Sequence, residues 1–359
     1  MNPERAWTSI ELAAAAALIL GIIGCAIGIA VSGAAVYRAW LCAYLFCLGL
    51  PLGAVSLILV HDLTGGAWMG SARPALAAAA VTMPLATLAG VPVLIGIGAI
   101  YPWPGIGDLG NGWYLNTGFF ILRYAIDFVV WNAAAAYALW APRGLAVGVP
   151  PRLRWASAIG LLLLAYTAGF ASIDWVLSLD PHFWSAIFPM ILGTHWFNTC
   201  LAVALTAVAV SPSGVLERSH LRDLASILLA TVIFWAYVEF CQFLIVWEAN
   251  LSHEIPWYLR RIAEGWRGVT WFIAIAGFFL PFALLLSDKR SRAVVITAAA
   301  LILLSRLAES AWLVIPDLPF APPPWLVAAA LLALGGLISL LFLRRLRYGA
   351  LPLVFGQAR

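Results

Sequence analysis

The chain has 359 residues, 64% of them hydrophobic and only 10% charged, with a formal charge of +4. A water-soluble protein of this length needs far more charge to cover its surface, so a soluble enzyme is excluded and a bilayer is the expected solvent. The small positive balance comes from loop arginines and implies no nucleic-acid partner.

Ten apolar runs follow in chain order: 10–33, 39–61, 74–100, 117–140, 153–178, 183–210, 221–248, 267–287, 292–315 and 325–346. At about 1.5 Å per residue each can cross a hydrocarbon core of about 30 Å. The first contains Glu11 and no small-residue cleavage signature, so it reads as a retained helix. Stretches such as Ala293 to Leu304 are uniformly apolar instead of alternating, which predicts helices and not a barrel. The longest polar interruption, Ala249 to Trp266, is too short for a soluble domain with its own core. The expected fold class is all-α: one polytopic transmembrane domain over 1–359.

Loop charges set the orientation. Arg5, Arg73, Arg143, Arg152, Arg154, Arg218, Arg222, Lys289, Arg290, Arg292, Arg344, Arg345, Arg347 and Arg359 fall on one side. Only Arg38, Arg260, Arg261 and Arg267 fall on the other, while Arg123 and Arg306 lie inside helices. The positive-inside rule then puts both termini in the cytoplasm. Trp40, Trp68, Trp103, Trp140, Trp175, Trp184 and Trp325 lie near helix ends, where an indole suits the interface.

The five cysteines, Cys25, Cys42, Cys47, Cys200 and Cys241, all lie in apolar runs without C-x-x-C, haem-attachment or zinc spacing, and read as small core residues. Covalent haem and iron–sulfur clusters are therefore not expected on this chain alone, and no metal site is expected. His182 and His195 are thirteen residues apart, but His61, His220 and His253 lie at helix ends or in loops, which disfavours bis-histidine haem.

Ionisable side chains at membrane depth cost at least about 2.5–3.5 kcal/mol each, so each implies a partner, a cavity or a function. Arg123 and Asp127 are four residues apart and Arg306 and Glu309 three apart, so each pair shares a helix face and is expected to form an internal ion pair. Asp174, His195 and Glu239, with Gln242 one turn beyond, have no evident local counter-ion. Counted from the outer helix ends, Asp174 is about 6 Å deep, Arg123 about 9 Å, Glu239 about 14 Å and His195 about 18 Å. The chemistry is thus expected in the outer half, as a polar path for protons or a quinone headgroup; a neutral His195 bonded to a backbone carbonyl is the plainer alternative.

Between the fifth and sixth runs stands Ser172-Ile-Asp-Trp-Val-Leu-Ser-Leu-Asp-Pro-His-Phe-Trp-Ser-Ala-Ile-Phe188. Asp180 is expected to cap the next helix, with Pro181 in its first turn and Trp175 and Trp184 anchoring the two ends. The whole string resembles the S-L-D-P-H-W-F-S-type segment of ActF, an integral membrane subunit of alternative complex III, the quinol:cytochrome c or electron-acceptor oxidoreductase of many bacteria. The stretch Phe234 to Asn250, the Trp257 to Arg261 segment, Leu280-Pro281-Phe282 and His61-Asp62-Leu63-Thr64-Gly65-Gly66 are also similar to that family. The resemblance covers about residues 55 to 315.

The resemblance implies an NrfD-like arrangement of two four-helix bundles, helices 2–5 and 6–9, flanked by helices 1 and 10. It implies a cofactor-free subunit in a bacterial inner membrane, lining a proton path or quinol pocket with Asp174, Asp180, His182, His195, Glu239 and Gln242. Haem and iron–sulfur groups would reside on partners: a multihaem cytochrome c, an iron–sulfur protein and an NrfD-like subunit. A secondary transporter and a purely structural scaffold subunit are the competing expectations, Pro84, Pro92 and Pro189 lending the first some support.

Overall fold

The computed structural model describes residues 3–107, 109–140, 150–210, 218–263 and 265–349. Arg143 and Arg359 of the charge count lie outside the described residues, as do the side chains of Arg5 and Arg218. Among the described residues all regular structure is helical, and ten helices are long and apolar enough to cross a membrane. The chain is a multi-pass membrane protein.

The spanning helices are α1 (Pro3–Ser32), α2 (Ala35–Thr64), α3 (Arg73–Ile95), α4 (Thr117–Trp140), α5 (Pro151–Trp175), α6 (Phe188–Val210), α7 (Arg218–Ala249), α8 (Arg267–Ser287), α9 (Arg292–Val314) and α10 (Pro324–Tyr348). A further short helix, Ile255–Ile262, lies in the connection expected to be a loop. An ion pair of 3.1 Å between Glu11 and Arg347 ties the start of α1 to the end of α10, so both lie on one face. That side is the termini face; the side bearing residues 176–187 is the loop face.

Two helices depart from continuous runs. The third run is broken into Arg73–Ala80, Met83–Ala89, Val91–Ile95 and Ile97–Ile100. Pro84 and Pro92 each open a segment because they cannot donate to the preceding turn. Carbonyls along the broken stretch are taken by side chains: Thr87 O accepts from Tyr124 Oη at 2.9 Å, Ala89 O from Trp40 Nε1 at 2.7 Å and Ala99 O from Arg38 Nε at 2.9 Å. Irregular backbone at membrane depth persists only where protein supplies such partners. Gly90 is required here, since a Cβ on it would lie 2.1 Å from Tyr124 Oη. In α8 a π turn, Ile275–Phe279, precedes Pro281, which cannot donate to the Gly277 carbonyl.

The helices form two four-helix bundles, α2–α5 and α6–α9, joined mainly along α2 and α6. There Gly49 and Gly53 of α2 let Trp196, Thr199 and Cys200 of α6 come close. Outside the bundles α1 packs along α10, with Gly21 and Gly24 against Ala333 and Ala329, and α10 packs on α2 and α3.

The second bundle repeats the first in the same sense, α6 to α9 standing for α2 to α5. At the end of α5 stand Trp175, Asp180 and Phe183, and at the end of α9, at identical spacing, Trp312, Asp317 and Phe320. Each series passes through a 3₁₀ turn, Leu177–Leu179 or Ile315–Asp317. Four helices per repeat return the chain to its starting face, so the repeats run parallel.

Candidate functional site

In the second bundle, α9 buries Ser305, Arg306, Glu309 and Ser310 on one face. Arg306 Nη1 lies 2.7 Å from Glu309 Oε2, the expected pair, and each side chain is 1% exposed. His195 of α6 brings Nδ1 to 2.9 Å from the same oxygen. Trp235 of α7 donates Nε1–H to Glu309 Oε1 at 3.0 Å and sets its ring 3.7 Å from the Arg306 guanidinium. His195 Nε2 is 3.3 Å from Ser310 Oγ. Both ring nitrogens thus face side chains; the histidine has a counter-ion, Glu309, and the backbone-carbonyl alternative does not hold.

Glu239 of α7 is within hydrogen-bonding reach of Glu309, and its Oε1 is buried without a partner. One turn on, Gln242 Oε1 accepts from Ser185 Oγ of the 176–187 loop at 2.6 Å. The π turn of α8 makes room for this cluster. A Cβ on Gly277 would stand 2.5 Å from Ser305 Oγ and 2.6 Å from Arg306 Nη2.

In the first bundle the expected Arg123–Asp127 pair is replaced by a pair across helices. Arg123 donates Nε–H to Asp174 Oδ2 at 2.7 Å and Nη2–H to Oδ1 at 2.8 Å, and Nη1–H to Tyr114 O at 3.0 Å. Its guanidinium also lies 3.9 Å from the Tyr114 ring centroid and 4.3 Å from that of Phe119. The planar fork matches both oxygens of Asp174 at once, which a neighbour one turn away on α4 does not offer. Asp127 Oδ2 is left buried without a hydrogen-bond partner, and Asp174, expected to be unpaired, is not.

Nearer the loop face the short helix Ile255–Ile262 contributes Arg260 and Arg261. Arg260 bonds both Asp180 and Asp317, the equivalent aspartates of the two repeats. Burial works against the Arg260 charge, but Asp317 and Asp180 outweigh it and set the guanidinium above its ordinary value. Arg261, fully buried, donates to Asp317 Oδ2 at 2.5 Å and to the Trp312 and Leu313 carbonyls at 3.1 and 2.8 Å, capping the end of α9. Asp180 therefore serves as an ion-pair partner and not as a helix cap: its Oδ1 accepts from the His182 backbone N at 3.1 Å, and α6 starts only at Phe188, after an irregular stretch. His182 is exposed and stands apart from both clusters, and Trp175 is buried in the core instead of at the interface.

A cavity of about 460 Å³ opens beside these groups, walled by Tyr114, Phe170, Ile173, Leu177, Phe183 and Trp184, with Asn111, Ser178, Asp180 and Ser185 among its polar points. Ser185 leads from it to Gln242, and Ser178 Oγ donates to Asp174 O at 2.5 Å. Burial, and then the Asp174 carboxylate, push the Tyr114 phenol above its ordinary value, which keeps it a hydrogen-bond donor. The arrangement sets aromatic walls and a few polar points at the loop face, with buried carboxyl groups behind them.

Among the described residues no group of three His, Cys, Asp or Glu is arranged to hold a metal, and all five cysteines are free. On the termini face Asp62, 1% exposed, accepts from Ser157 Oγ at 2.9 Å, and Ser157 meets Tyr137 Oη at 3.2 Å. Sequence reasoning left Asp62 at a helix mouth and missed its partners, along with Trp235, Ser310, Asp317 and the buried role of Arg261. The Trp-x₄-Asp-x₂-Phe repeat was the signal that could have paired Asp317 with Asp180. No protein-family model matches the chain, and no curated protein matches it.

Proposed function

We propose that this chain is a cofactor-free membrane subunit of a quinol-oxidising respiratory complex of the alternative complex III type. It sits in a bacterial inner membrane with both termini cytoplasmic, so the loop face is periplasmic. Its polar clusters carry protons between the membrane interior and the periplasm, and the aromatic cavity forms a wall for a quinol headgroup. Electrons pass through haem and iron–sulfur groups on partner subunits.

The observation that carries this reading is the buried Glu239 carboxyl, with Oε1 unpartnered, facing Glu309, which holds His195 and Arg306. Two facing carboxyl groups share a proton, because two adjacent buried negative charges repel. Such a pair, with a histidine on one member, is a place where a proton can be held and passed on. The Ser185–Gln242 bond lies between it and the cavity rim.

The test is Glu239→Gln in the complex purified from its own membranes. Quinol-dependent turnover and proton release are expected to fall at least about tenfold, at or below the range for loss of a proton-transfer group, while subunit content stays unchanged. Full activity with intact assembly assigns the chain a scaffold role instead.

A secondary-transporter reading draws on the broken α3, since discontinuous helices near the midplane hold substrates and ions in transporters. Uptake of a solute by vesicles containing this chain alone would favour it.

A further inference from the structure

The two bundles repeat each other, but their surroundings do not. The groove on α2 and α3 of the first bundle is filled by α10, where a Cβ added to Gly335 would lie 4.0 Å from Cys47 Sγ. Under the repeat, α2 becomes α6 and α3 becomes α7, so the matching slot lies on α6 beside α7. A groove of about 440 Å³ is found there, lined by α6 and α7 together with α2 and α5 across the bundle seam.

We infer that this groove is the docking slot for a single transmembrane helix of another polypeptide, seated where a repeat of α10 would lie. Its walls include Leu164, Ala168, Met190, Gly193, Trp196 and Phe234. A Cβ on Gly193 would meet nothing within 4 Å, so the floor is open at a small residue, the kind of surface that lets a second helix approach closely. The wall hydroxyls of Ser56, Thr194 and Thr231 each donate to a carbonyl of their own helix, at 2.9, 2.9 and 3.0 Å. They leave no charge in the groove, which suits an apolar helix. The inference stands on the repeat and the groove and does not depend on the proton-path reading.

The full chain, expressed in its own membranes, carries a photoreactive benzoylphenylalanine at Thr194. The expected product is one adduct to a different polypeptide, with the crosslinked peptide inside an apolar run of roughly 20 residues. Gly193→Trp fills the floor and is expected to strip that same polypeptide from the purified complex. Leu286→Trp, on an exposed face of α8, is expected to retain it. Adducts to phospholipid only, adducts to a second copy of this chain, or an unchanged subunit list in Gly193→Trp overturn the proposal. The crosslink is read in a chain without the tryptophan, so it decides the matter even where Gly193→Trp does not fold.

Discussion

Arg123 grips Asp174 across fifty-one residues of chain through two hydrogen bonds, of 2.7 and 2.8 Å, and so locks α4 to α5 near the loop face. Asp127, on the same helix as Arg123, keeps an unpartnered oxygen. The two aspartates are therefore expected to behave differently. Asp174→Ala strands a buried guanidinium and should cost about 3–5 kcal/mol, the range for breaking one side of a buried pair. Asp127→Asn should cost far less. Thermal unfolding in detergent, followed by tryptophan fluorescence, separates the two, and equal losses would contradict the assigned pairing.

Arg123→Lys should not restore what Asp174→Ala loses. A lysine is a point donor without the planar fork, and it cannot lie flat between the Tyr114 and Phe119 rings. Its unfolding midpoint is expected well below that of the parent chain, and a midpoint equal to the parent would show that charge alone suffices.

Gly277 is the point at which backbone shape and site chemistry meet. Gly277→Ala puts a methyl group against Ser305 Oγ and Arg306 Nη2 and is expected to cost about 1–3 kcal/mol as overpacking. The same change should lower turnover, since Arg306 shifts relative to Glu309. Gly268→Ala, on the same helix with open space around it, serves as the matched control and should leave both measurements near the parent values.

The ion-pair ring at the loop face divides by burial. Asp317 holds Arg261, which no solvent reaches, whereas Asp180 holds Arg260, whose side chain is 37% exposed. Asp317→Ala should thus cost about 3–5 kcal/mol and Asp180→Ala about 1 kcal/mol or less. Unfolding midpoints at low and at high salt check this, with the Asp180 contribution expected to be screened more than that of Asp317.

The ten spans were legible because hydrocarbon imposes length and apolarity on every crossing, a demand written residue by residue. The Arg306–Glu309 pair was legible for the same local reason, a spacing of three on one helix. Arg123 shows where this fails: whether it turns to Asp127 or to Asp174 depends on how α4 and α5 meet, which spacing does not encode. Arg261 looked like a loop charge because its burial is set by the packing of Trp257 and Trp312 around it. The break in α3 was signalled by Pro84 and Pro92, yet the side chains from α2 and α4 that make it tolerable come from distant sequence.

Glu309 and Glu239 are electrostatic neighbours, but their substitutions should have opposite signatures. Glu309 is the shared acceptor of His195 and Trp235 and the ion-pair partner of Arg306. Glu309→Gln removes the carboxylate paired with a guanidinium and a histidine packed at 0–1% exposure, and the amide cannot accept at both positions, so it should lower the unfolding midpoint as well as the activity. Glu239→Gln instead presents an N–H toward Glu309, as a protonated Glu239 would present an O–H, so the fold should keep its stability. The amide cannot give that proton up, so release should fail in a chain that unfolds at the parent temperature. Loss of stability in Glu239→Gln, with activity falling only in proportion to it, would identify Glu239 as a packing group and remove it from the proton path.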